Sequence, residues 1–122
     1  DVYKRQVEDI DAYYKKSAMF VLTSRYEGFG LVLTEAKNMR LPCVSFRCPA
    51  GPSEIIEDGM NGYLIDCFNI EEMSQKIIQL IQNQELRKKF SEKALAGTEK
   101  FNLKNITIQW KNLLSQLEKA RR

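Results

Sequence analysis

The sequence predicts an open α/β fold: a parallel sheet with helices on both faces, continued by helices toward the carboxyl terminus. Three observations lead there. Short, continuous apolar runs at 19–23 and 42–46 have the length and composition of strands buried on both sides. Helix-patterned stretches alternate with them, as crossover connections between parallel strands require. From residue 70 onward the apolar spacing becomes helical and stays so. At 122 residues, 43% hydrophobic and 29% charged, the chain can bury one core and is too apolar for a disordered segment.

In order, residues 8–17 place Ile10, Tyr13 and Tyr14, with the later Ala18, at helical spacing, which predicts a short amphipathic helix. Residues 19–23 predict the first strand. Gly28-Phe29-Gly30 breaks the chain before a helix over 31–39. Residues 42–46 predict a second strand, closed by the loop Cys48-Pro49-Ala50-Gly51-Pro52. A short helix is expected over 53–57, a turn at Asn61-Gly62 and a third strand over 63–65. Ile70, Met73, Ile77, Leu80 and Ile81 line one face of a longer helix. Leu86, Phe90, Ala94 and Phe101 suggest a second, ending near Gly97. Leu103, Ile106, Trp110, Leu113, Leu114 and Leu117 follow the i, i+3, i+4, i+7 rule and predict a last helix.

Residues 1–6 stand apart. Asp1-Val2-Tyr3-Lys4-Arg5-Gln6 back-translates as GAT GTG TAT AAG AGA CAG, which resembles the end of a transposase-based sequencing adapter. The expected organisation is therefore an adapter-derived segment 1–6, a nucleotide-sugar-binding domain 7–102, and a crossover helix with a basic tail, 103–122.

Several function classes fall away on composition. No apolar run approaches the roughly 18 residues of a membrane span. Cys43, Cys48 and Cys67 lack metal-ligand spacing, and with no histidine there is neither a zinc set nor a His-activated nucleophile. Scattered thiols fit a reducing compartment, so the cytoplasm is expected. In 103–122, five cations face only Glu118, a net of +4. The plain reading is a solvated helix face, with contact to anionic lipid as the alternative and no nucleic-acid role expected.

Chemistry concentrates in Ser24-Arg25-Tyr26-Glu27-Gly28-Phe29-Gly30-Leu31-Val32-Leu33-Thr34-Glu35-Ala36. This segment leaves a buried strand and opens a helix, at the strand ends where open α/β sheets bind ligands. No Ser, Thr, Asp or Asn immediately precedes Leu31 to cap the helix, so an anion can take its first N–H groups. Glu27 and Glu35 flank that cradle, and carboxylates accept paired hydrogen bonds from vicinal hydroxyls. On residues alone this also fits a non-catalytic nucleotide- or phosphate-binding module, or a basic interaction domain working through its tail. Asp9-Ile10-Asp11 spells a metal motif but is read as a solvated helix start. Glu54 is read as first-turn charge, Trp110 as core packing, and Tyr13-Tyr14 as half-buried helix.

Glu27 and Glu35 enclose seven residues, and the match extends through Glu-Gly-Phe-Gly-Leu-Val-Leu-Thr-Glu-Ala. The block from Gly51-Pro52-Ser53-Glu54-Ile55-Ile56 to Asn61-Gly62-Tyr63-Leu64 continues it. Together these resemble the C-terminal domain of retaining glycosyltransferases of the two-domain GT-B type (glycosyl transferases group 1, family 4-like), with its E-x7-E signature. The resemblance runs from Val7 to about Leu117 and implies a Rossmann-like parallel sheet. It implies that Glu27, taken as the catalytic-site carboxylate, contacts hydroxyls of the transferred sugar. Backbone amides of Phe29, Gly30 and Leu31, after Gly28, would bind sugar hydroxyls or the β-phosphate, Val32 would add a phosphate contact, and Glu35 would hold the ribose. It implies no metal or other cofactor, a nucleoside-diphosphate sugar as co-substrate, and a carbohydrate or lipid-linked acceptor held by an N-terminal domain. Transfer of a hexosyl or N-acetylhexosaminyl group with retention, in polysaccharide or glycolipid assembly, is the implied activity. Arg25 does not match the family's basic pair and inherits no role. The isolated chain is expected to be inactive, with an unsatisfied apolar stripe on its last helix.

Overall fold

A computed structural model describes residues 7–121; residues 1–6, read as adapter-derived, lie outside them. The chain forms α1 (Ile10–Lys16), β1 (Phe20–Leu22), α2 (Leu31–Asn38), β2 (Cys43–Phe46), α3 (Pro52–Ile55) and β3 (Gly62–Ile65). It continues through α4 (Ile70–Gln82), α5 (Gln84–Lys93), a 3₁₀ turn (Thr98–Phe101) and α6 (Leu103–Ala120). The three strands are parallel in the order β1-β2-β3, with Phe20 opposite Cys43 and Cys43 opposite Gly62.

Strand alternation divides the interior into two cores. Phe20, Leu22, Cys43 and Leu64 face one side, where Tyr14 of α1, Leu33 and Ala36 of α2 and Ile55 of α3 cover them. Val21, Val44, Phe46, Tyr63 and Ile65 face the other, under Met73 and Leu80 of α4 and Phe90 of α5. Burying side chains such as Leu33, Leu80 and Phe90 stabilises the fold by about 1.5–3 kcal/mol each. Helices therefore cover both faces of the sheet, as the sequence predicts.

The helix starts follow their caps. Asp9 Oδ1 accepts from Ala12 N at 3.2 Å and opens α1. Asn69 accepts from Glu72 N, Asn83 from Leu86 N and Asn102 from Asn105 N, which open α4, α5 and α6. Asp9 is thus occupied as a cap, in line with a solvated helix start. Among the described residues no group of three or more His, Cys, Asp or Glu is arranged to hold a metal ion. No helix among them is long and apolar enough to cross a membrane.

Several details differ from expectation. The stripe on α1 is mostly outward: Ile10 and Tyr13 are exposed, Ala18 lies beyond the helix, and Tyr14 alone is buried. On α4, Met73 and Leu80 are buried but Ile70 and Ile81 are exposed, so the apolar stripe is wider than the face that packs on the sheet. α5 stops at Lys93, short of Gly97, whose left-handed conformation (φ +75°) instead opens the 3₁₀ turn. Gly62 belongs to β3 rather than to the turn; a Cβ there would strike the Cys43 carbonyl across the ladder. Trp110 is 60% exposed and not core. The reason is that α6 has no buried residue at all: its stripe, from Leu103 to Leu117, finds no partner among the described residues.

Candidate functional site

The loops that leave β1 and β2 meet at the carboxyl edge of the sheet. Cys48 Sγ donates to the Ser24 carbonyl at 3.0 Å, which joins the ends of the two strands. Further along, Gly51 lies against the glycine-rich loop so closely that a Cβ would stand 2.6 Å from the Phe29 carbonyl oxygen. Its φ of +61° belongs to the left-handed region that glycine adopts without strain. The loop after β2 therefore backs the loop after β1.

Gly30 is the residue that turns the chain into α2. It is buried, left-handed (φ +82°, ψ +50°), and occupies the cap position with no side-chain hydrogen bond. Leu33 N–H turns back to the Gly30 carbonyl at 2.9 Å, so the open donors lie on the residues just before it. The first turn carries no acidic side chain. An uncapped helix start at the carboxyl end of a parallel strand leaves backbone donors and the positive end of the helix dipole free to meet an anion. Nothing lies within 4 Å of a Cβ built at Gly28, so the fold itself does not require glycine at that position. Leu31 and Val32 are exposed at the rim, with their backbone at the cradle.

Of the two carboxylates, Glu27 is half-buried in the loop, close enough to the end of β2 to act on Cys48. Burial pushes the Cys48 thiol up, and the neighbouring Cys67 and Glu27 add to the effect. Glu35 lies one turn into α2 on its exposed side, and its Oε2 accepts a hydrogen bond from the Tyr14 hydroxyl at 3.1 Å. Tyr14 is 5% exposed, its ring edge-on to Phe20 with centroids 5.9 Å apart. Burial, then the bond to Glu35 and its charge, raise the Tyr14 pKa from 10.0 to about 12, so the phenol stays protonated and donates.

Two further residues, Lys37 and Phe101, shape the site although the sequence did not mark them as site residues. Lys37, on α2, is 1% exposed, and its ammonium donates to the Ile55 carbonyl at 2.5 Å. That bond ties α2 to the end of α3 and so braces the Gly51 loop; burial lowers the lysine's pKa. Phe101 of the 3₁₀ turn packs edge-on against Phe29, with centroids 4.9 Å apart. Beside this pair, Leu31, Thr34, Asn38 and Asn102 help to line a cleft of 360 Å³. A cleft of 510 Å³ near Ala18, Pro42 and Lys88 lies at the amino edge of the sheet and includes none of the predicted site residues. Glu54 is exposed in the first turn of α3, as expected for helix-start charge. Arg25 reaches over the Phe68 ring at 5.4 Å.

Residues 2–96 match the family described as glycosyl transferases group 1. The amylovoran biosynthesis glycosyltransferase AmsD of Erwinia amylovora is 39% identical over 106 residues, which cover 87% of this chain and 30% of AmsD. The poly(ribitol-phosphate) alpha-N-acetylglucosaminyltransferase of Staphylococcus aureus is 43% identical over 98 residues, 80% of this chain and 20% of that protein. Among solved structures, a substituted S. aureus TarM in complex with fondaparinux, alpha-GlcNAc-glycerol and UDP superposes with a TM-score of 0.79. It is 41% identical, covering 84% of this chain and 21% of TarM. The chain spans less than a third of the length of these relatives. A Rossmann-like parallel sheet of the GT-B kind is the architecture they share.

Proposed function

This chain belongs to the glycosyl transferases group 1 family, and from that premise we propose that it is the donor-binding part of a retaining glycosyltransferase. The donor is a nucleoside-diphosphate sugar, and the group moved is a hexosyl or N-acetylhexosaminyl unit. The acceptor is a hydroxyl on a carbohydrate or lipid-linked carrier, held by an N-terminal domain that would meet the exposed stripe of α6. The product enters cell-surface polysaccharide or glycolipid assembly, at the cytoplasmic face and in peripheral contact with the membrane. The names of the relatives support the class of product: amylovoran for one, poly(ribitol-phosphate) for another.

The observation that carries this reading is the uncapped start of α2 behind Gly30, with a carboxylate on each side. Open N–H groups of Phe29, Gly30, Leu31 and Val32 would take the diphosphate, where charge builds as the sugar departs. Glu35 would accept the ribose hydroxyls, and Glu27 the hydroxyls of the sugar, near the reacting carbon. The acceptor oxygen bonds to the anomeric carbon from the face the phosphate leaves, and its proton goes to the departing phosphate oxygen. No metal is needed for these roles, because backbone donors and the helix dipole supply the positive potential.

Calorimetric titration of the purified chain tests the reading. UDP, the nucleotide in the TarM complex, should bind at least tenfold more tightly than uridine, since the cradle grips phosphate. No sugar should pass to an acceptor from this chain alone. Equal affinity for UDP and uridine would remove the cradle from the argument.

A further inference from the structure

We propose that Tyr14 is a positioning residue for ribose recognition: its buried hydroxyl holds Glu35 in the conformer that accepts the vicinal diol. The inference rests on the reading of Glu35 as the ribose anchor and assigns a role to a residue outside the glycine-rich segment.

The geometry supports it on both sides of the bond. Glu35 is exposed on α2, and a glutamate in that setting samples several rotamers, which a ligand must freeze. Tyr14, in contrast, is fixed. Its ring is packed on Phe20 within the core beneath the sheet. The backbone of α1 is pinned at its start by Asp9 and at its end by Ser17. The Ser17 hydroxyl donates to the Tyr13 carbonyl at 2.7 Å, and the Ser17 N–H donates to the Tyr14 carbonyl at 3.1 Å. A rigid donor therefore meets a mobile acceptor at 3.1 Å. The direction of the bond is unambiguous, because the phenol keeps its proton and an ionised carboxylate only accepts. A carboxylate has about four lone-pair sites. Tyr14 occupies one, and the rest can accept two ribose hydroxyls at the same time. The bond is compatible with ligand binding and settles the shape of the acceptor before the ligand arrives.

A purely structural bond between α1 and α2 would leave nucleotide selectivity alone, and that separates the two roles. The experiment titrates UDP and 2′,3′-dideoxy-UDP into the chain and into Tyr14→Phe, which keeps the ring and its packing. The expected result is that UDP binding weakens several-fold, up to about tenfold, in Tyr14→Phe, because the ligand must then freeze a Glu35 side chain that is no longer pre-set. Binding of the dideoxy nucleotide should stay the same. Unchanged UDP affinity, or equal weakening of both nucleotides, overturns the role of Tyr14. If the unsubstituted chain does not distinguish the two nucleotides, Glu35 is not the ribose anchor, and the inference falls together with that reading. If it does distinguish them and Tyr14→Phe distinguishes them equally well, only the tyrosine inference falls. Circular dichroism of both proteins shows whether the fold is the same in each arm.

Discussion

Replacing Glu35 by alanine is expected to cost the chain at least a hundredfold in UDP affinity while leaving it folded. The two ribose hydroxyls would each donate to a charged acceptor, and hydrogen bonds of that kind contribute about 1.5–3 kcal/mol. Losing both removes about 3–6 kcal/mol, and each 1.4 kcal/mol is a factor of ten. The fold has less at stake. Position 35 is an exposed site inside α2, where alanine is the best helix former. Against that gain stands the loss of the Tyr14 partner, about 1 kcal/mol for one hydrogen bond. Calorimetry measures the first effect and thermal unfolding the second. UDP binding within threefold of the unsubstituted chain would sink the assignment of Glu35. A collapse of the helical signal would show that the residue is structural.

Gly51→Ala should do the most damage for the fewest added atoms. Two costs coincide at this position. A backbone at φ +61° and ψ −90° costs an alanine about 1–3 kcal/mol, and the new methyl also lies 2.6 Å from the Phe29 carbonyl oxygen. That neighbour is backbone, so no side-chain rotation can relieve the contact. Either the chain loses about 3 kcal/mol, in the range of overpacked interiors, or the two loops separate and the anion cradle opens. The first outcome lowers the urea midpoint, and the second weakens UDP binding. Gly28→Ala in the neighbouring loop is the control, since its methyl meets nothing within 4 Å. It should leave stability within about 1 kcal/mol and weaken UDP binding only where ligand fills the space above it. Equal stability for both variants would mean that the loops do not press on one another.

The strands and α2 were legible because their signals are local. Three short apolar runs and a glycine before Leu31 need only their neighbours to be understood. The uncapped start of α2 was legible for the same reason: it is the absence of a capping residue at one position. The bond from Tyr14 to Glu35 was not, because it joins residues 21 apart and no spacing rule links a tyrosine on α1 to a carboxylate on α2. Lys37 hid behind its own chemistry. Lysine inside a helix predicts a solvated face, and here a carbonyl 18 residues away makes burial tolerable. Gly51 looked like an ordinary turn residue, since the carbonyl it must clear belongs to a loop 22 residues earlier. Periodicity misled where it had no partner to act on. The stripe containing Trp110 has the regularity of a core helix, yet amphipathic spacing records that a face is apolar and not what covers it.

The buried thiols of the sheet carry a consequence for following its motions. Cys67 is exposed, while Cys43 and Cys48 are sealed at 0% and 2% exposure. Burial also pushes the Cys43 thiol from 9.0 up to about 12, so it is neither reachable nor nucleophilic while the strands are paired. A maleimide added to the native chain should therefore mark one cysteine promptly and spare the other two. Because Cys43 sits between Phe20 and Gly62 in the register, its labelling becomes a stopwatch for the central strand parting from its neighbours.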